Sequence, residues 1–119
     1  MVGESEPYGT EQEHLNNVFG ARLRIATLQA AKGPGIEFLE YLIPRDGHPL
    51  PIDVRANDLM HWQTTLLTRD ITSVTHRLRA GKFALVSPGT VTLVEGHPGF
   101  TAGLLGCDPD GHAVQVIER

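Results

Sequence analysis

The feature that most constrains this chain is an internal repeat. Ile36-Glu37-Phe38-Leu39-Glu40 lines up with Val114-Gln115-Val116-Ile117-Glu118, and Glu37 and Gln115 stand 78 positions apart, as do Glu40 and Glu118. At the same offset Arg22 to Leu28 falls on Phe100 to Gly106. In each copy a strand-like segment and a Gly-containing turn precede an apolar closing strand that carries a polar side chain. Self-similarity of this kind points to two copies of one supersecondary unit. The repeat is unequal, however. The second copy opens with a strand near Met60, and its counterpart in the first would fall upstream of Met1. The first copy is therefore expected to lack its opening strand and most of its helix.

Local patterns fill in the elements. Thr10-Glu11-Gln12-Glu13 has the spacing of a capping box, and Leu15, Val18 and Phe19 follow at helical spacing. A helix is expected over residues 11–19, stopped by Gly20. Residues 22–31 alternate as a strand, Lys32-Gly33-Pro34-Gly35 turns, and residues 36–43 return as a second strand. A proline-rich connection, Pro44 to Pro51, marks the main boundary and predicts units 1–52 and 53–119. Residues 60–69 form a third strand candidate. Asp70 is placed to cap a helix whose stripe is Ile71, Val74 and Leu78, with Gly81 at its end. Short strands over 83–86 and 90–94 and a last hairpin, 100–107 with 113–118, complete the second copy.

Composition narrows the function classes. With 119 residues, 40% hydrophobic and 20% charged, the chain suits one packed domain. A net charge of -4 argues against nucleic acid as a partner, since a broad basic surface is what phosphates require. No apolar run approaches the ~18 residues of a membrane span. Cys107 is the lone cysteine, so an internal disulfide is excluded and a reducing, cytoplasmic setting is expected. There is no G-x-G-x-x-G, no Walker lysine motif and no Ser-centred nucleophile elbow.

These residues resemble the vicinal oxygen chelate superfamily, the group of glyoxalases, bleomycin-resistance proteins and extradiol dioxygenases. Asp108-Pro109-Asp110-Gly111-His112-Ala113-Val114-Gln115 looks like its DPDGH-x-x-E signature. Gly35 to Tyr41 looks like the closing strand of a first unit, and Gln63 to Asp70 like the opening strand of a second. The resemblance covers residues about 11 to 119. It implies an α+β fold of paired βαβββ units forming a cupped mixed sheet, the first unit incomplete. It also implies a ligand position on each opening and closing strand. The positions present are Glu37, Gln63 and Gln115, where the family more often has carboxylate, His and Glu. Two amides carry no charge and bind a hard cation weakly, so the expectation is no cofactor or a weakly bound divalent metal.

His61 shares a strand face with Gln63 and Thr65, so it is the candidate general base or replacement ligand beside Glu37. Its alternative is a core or rim histidine held by a carbonyl. Glu37 either faces solvent or lines a cavity, with Arg22, Arg24 or a metal as partner. Leu39 and Tyr41 share its face, which favours the cavity. Gln63, Gln115, Thr65 and Trp62 are the candidate ligand-binding residues, and Glu37, His61 and Gln115 the candidate metal set. Trp62 otherwise packs under a helix or at a subunit contact. His112 is expected to belong to its turn. His14, His48, His76 and His97 are expected on the surface.

Two functions fit. One is a small-molecule binding protein with no chemistry of its own. The other is a metal-dependent lyase, isomerase or dioxygenase. The amides and the missing opening strand favour binding. The incomplete first unit should also expose a sheet edge, so a homodimer is expected unless residues 2–8 fold back as a substitute strand.

Overall fold

The structure, a computed structural model, describes residues 2–5, 10–94 and 99–119. The fold is α+β. Its contacts divide the chain into two compact units, Met1–His48 and Pro49–Arg119, so the boundary falls inside the proline-rich connection, earlier than the expected 52/53.

The first unit holds β1 (Val2–Ser5), α1 (Thr10–Asn16), β2 (Arg22–Gln29) and β3 (Gly35–Ile43). They form an antiparallel sheet in the order β1-β2-β3. The fold-back strand is thus present over Val2–Ser5, paired from Val2↔Leu28 to Ser5↔Ile25. It lies on the far side of β2, so the outer edge of β3 carries no strand among the described residues. Helix α1 is shorter than the expected 11–19. Asn17 takes a positive φ of 52°, a conformation Asn tolerates, and helical hydrogen bonding stops there. Its apolar stripe is not buried either, since Leu15 and Phe19 are 79% and 93% exposed. Strand β2 ends two residues before the expected 31, at Gln29. Among the described residues of this unit only Ala21 and Leu23 are buried hydrophobics.

The second unit holds β4 (Gln63–Thr68), α2 (Ile71–Ala80), β5 (Ala84–Leu85), β6 (Val91–Thr92), β7 (Ala102–Cys107) and β8 (Ala113–Glu118). The sheet order is β4-β8-β7-β5, with β6 also on β7. The opening strand β4 runs parallel to β8, from Gln63↔Ala113 to Thr68↔Glu118, and every other pairing is antiparallel. Strands expected over 60–69, 83–86, 90–94 and 100–107 are all shorter, because the flanking residues leave the ladders for turns.

Helix α2 forms where its caps predict. Asp70 Oδ1 accepts the Ser73 N–H at 2.8 Å, and Glu118 Oε1 accepts the Ile71 N–H at 2.8 Å, so two of the orphan donors at the first turn are satisfied. The helix lays Ile71, Val74 and Leu78 on Ala102, Leu104 and Val116 of β7 and β8. Thr75 is buried with them because its hydroxyl is paired, to the Ile71 carbonyl at 2.7 Å and to Thr90 Oγ1 at 2.9 Å.

Candidate functional site

Alternation along the strands gives the second sheet two faces. Leu104 and Val116 point to α2. Their neighbours Leu105, Cys107, Ala113 and Gln115 point the other way, with Gln63 and Thr65 of β4 in register beside them. This face, opposite α2, carries the candidate site.

Gln63, Thr65 and Gln115 meet there. Gln115 Oε1 accepts from Thr65 Oγ1 at 3.0 Å and from Gln63 Nε2 at 3.3 Å. The parallel register explains the meeting, since Thr65 lies directly opposite Gln115. Beside this cluster is a cleft of about 650 Å³. Its floor is Leu105, Cys107 and Ala113, with Val86 at one side. Its roof is the connection that precedes β4, contributing Pro49, Leu50, Pro51, Ile52, Val54, Ala56 and His61, and its end wall is Pro109, Asp110 and Gly111. The lining is mostly apolar, and its volume is in the range of small-molecule pockets.

The end wall is a tightly bonded turn. Asp108 Oδ1 accepts the backbone N–H groups of Asp110 at 3.0 Å and His112 at 2.8 Å, while Oδ2 lies 3.0 Å from His112 Nδ1. Burial pushes the Asp108 carboxyl up. The His112 side-chain bond, the two backbone bonds and the imidazole's charge together outweigh it, so the pKa is lowered. His112 therefore belongs to its turn, as expected, but its ring also meets Trp62, with centroids 5.1 Å apart and planes tilted by 45°. Trp62 packs on this imidazole and remains 56% exposed, which does not fit the expected place under a helix and leaves the expected subunit contact as the other one. Gly111 has φ +93°, and a Cβ there would lie 2.8 Å from Leu50 Cδ2. The positive φ favours glycine here, and a Cβ would make the Leu50 side chain give way.

Of the expected site residues, Gln63, Thr65 and Gln115 are brought together and His61 lines the adjacent cleft. Glu37 is exposed on β3 of the first unit, opposite Thr27, and shares its face with Leu39 and Tyr41. Arg24, a candidate partner for Glu37, donates to Glu40 at 3.0 Å. His14, His48 and His76 are exposed, and His97 lies outside the described residues. Sequence reasoning missed the roof of the cleft. The signal was the run Pro49-Leu50-Pro51-Ile52, apolar yet unsuited to helix or strand.

The Gln63–Thr65–Gln115 cluster by itself is two amides and a hydroxyl, all neutral, and the Gln115 carbonyl oxygen already accepts two hydrogen bonds, so the cluster alone suits a tightly held transition metal poorly. Among the described residues no three His, Cys, Asp or Glu side chains gather into a metal-holding group.

No family model and no curated protein matches the chain. Among solved structures, a glyoxalase family protein from Bacillus cereus superposes with a TM-score of 0.75 at 18% sequence identity, over 98% of this chain and 74% of that one. The chain therefore has a glyoxalase-like fold, as the DPDGH turn and the repeated closing strands led us to expect. At this identity the likeness is one of fold. No helix among the described residues is long and apolar enough to cross a membrane.

Proposed function

We propose that the protein is a glyoxalase-like small-molecule binding protein that holds an apolar ligand on the face of its second sheet opposite α2. The observation that supports this most is the apolar cleft of about 650 Å³ beside the Gln63–Thr65–Gln115 cluster. Apolar walls supply affinity, and His61 with the amides supplies a few directional contacts. Binding then needs no cofactor, or at most a weakly bound divalent metal. The test is titration with the neutral fluorophore N-phenyl-1-naphthylamine together with elemental analysis of purified protein. Saturable binding without a stoichiometric metal supports the reading. Stoichiometric Zn, Fe, Ni or Mn supports instead the metal-dependent lyase, isomerase or dioxygenase, with His61 and Gln115 among its candidate ligands. A cytoplasmic setting suits the lone thiol.

We also propose a homodimer. The nine-residue strand β3 has an outer edge without a strand partner among the described residues, and Phe38, Leu39 and Ile43 on it are 45%, 43% and 53% exposed. Such an edge invites pairing with a second copy. Sedimentation should show a dimer at micromolar concentration. A stable monomer would rule it out.

A further inference from the structure

We infer that the connection 49–62 is a lid over the cleft, latched at both ends to the one turn Asp108 to His112. The inference rests on the reading that the cleft takes an apolar molecule. It begins from how the connection is held. Among the described residues its hydrogen bonds run within itself: Val54 N–H to the Pro51 carbonyl, Arg55 N–H to Asp58 Oδ2, Asp58 N–H to the Arg55 carbonyl, and His61 N–H to the Asp58 carbonyl. Pro49 and Pro51 have no N–H to give. The segment is thus braced as a body of its own and joined to the sheet by side-chain packing.

Two packing contacts stand out, and both fall on the same turn. Near the start of the connection, Leu50 sits on Gly111, so close that a Cβ would collide with it at 2.8 Å. At its end, Trp62 lies against His112 at 5.1 Å. The turn is a firm anchor because Asp108 fixes it through three hydrogen bonds, one of them holding the imidazole. Between the two contacts lies the cleft roof. Releasing them lifts the roof as a unit without breaking a ladder hydrogen bond, and exposes the floor.

The floor carries its own reporter. Cys107 is the chain's one cysteine and lines the cleft. Its thiol is half-buried with the connection in place, so its rate of alkylation by N-ethylmaleimide should rise as the lid opens, whether or not a ligand binds. Leu50→Ala and His112→Ala should each speed labelling about tenfold, the scale of one lost packing contact. His112→Phe keeps a ring against Trp62 and should label near the wild-type rate, which separates the latch from any general loosening of the turn. Wild-type labelling rates in either alanine variant overturn the lid, as does labelling of His112→Phe as fast as His112→Ala. Saturating N-phenyl-1-naphthylamine should slow labelling of the wild-type protein. If the alanine variants accelerate labelling but the fluorophore gives no protection, the lid stands and the binding reading fails.

Discussion

The two units carry the same hairpin, β2–β3 in one and β7–β8 in the other, with opposite fates. Phe38 and Val116 occupy equivalent positions in the repeat, yet Phe38 is 45% exposed and Val116 4%. The difference is what lies beside and above them. Strand β8 is flanked on both sides and covered by α2, whereas among the described residues β3 has one neighbour and α1 buries none of its residues. A repeated strand pattern therefore specifies a hairpin but not a core. The core of the second unit comes from the capped helix packed on β7 and β8. Each Å² of apolar surface that the covering helix removes from water contributes ~25 cal/mol.

The sharpest way to break this comparison is to truncate the core of the second unit. Leu104→Ala should cost about 2–5 kcal/mol in denaturant unfolding. Phe38→Ala, half exposed, should cost roughly 1 kcal/mol. Equal losses would mean that the first sheet is buried in solution. Next comes Gly111→Ala, which combines a positive φ with the approach of Leu50. It should cost about 1–3 kcal/mol, read as a lowered Tm. Asp70→Ala removes one cap of α2 and should cost about 1 kcal/mol, the Glu118 cap remaining.

Two smaller effects sharpen the contrast. The lowered pKa of Asp108 means its folded carboxyl holds a proton less readily than the unfolded one. Its contribution is therefore complete above the ordinary aspartate value of ~3.9 and is lost as pH falls through the folded value. Unfolding free energies from roughly pH 2 to 6 should show this acid loss in wild type and a weaker one in Asp108→Asn. Smallest is Glu40→Ala in the first unit. The Arg24–Glu40 pair is about half exposed on both partners, so its loss should stay within ~0.5 kcal/mol.

Much of the second unit was legible because its signals are local. Asp70 caps, Ile71, Val74 and Leu78 form the buried stripe, and the two closing strands stand where the repeat puts them. Gln63, Thr65 and Gln115 could be placed together because strand alternation and the family-like register agree. The failures have equally physical causes. Helix α1 stops early because Asn17 leaves the helix, and no tertiary contact buries Leu15 or Phe19 to extend it. The cleft roof was invisible because Leu50 on Gly111 and Trp62 on His112 join residues far apart in sequence, with no periodicity to announce them.

The parallel pairing of β4 with β8 has a consequence during synthesis. Thr65 must wait for Gln115, 50 residues later, before its ladder can form. Until residues 113–118 have left the ribosome, β4 has no neighbour and the apolar stripe of α2 lacks Val116 to pack on. Contacts this distant in sequence close slowly, and unpaired strands on a nascent chain are prone to aggregate. Strand β8, which lies between β4 and β7, is also the last of the unit's strands to be made, so translation that stalls before it leaves β4 without its partner.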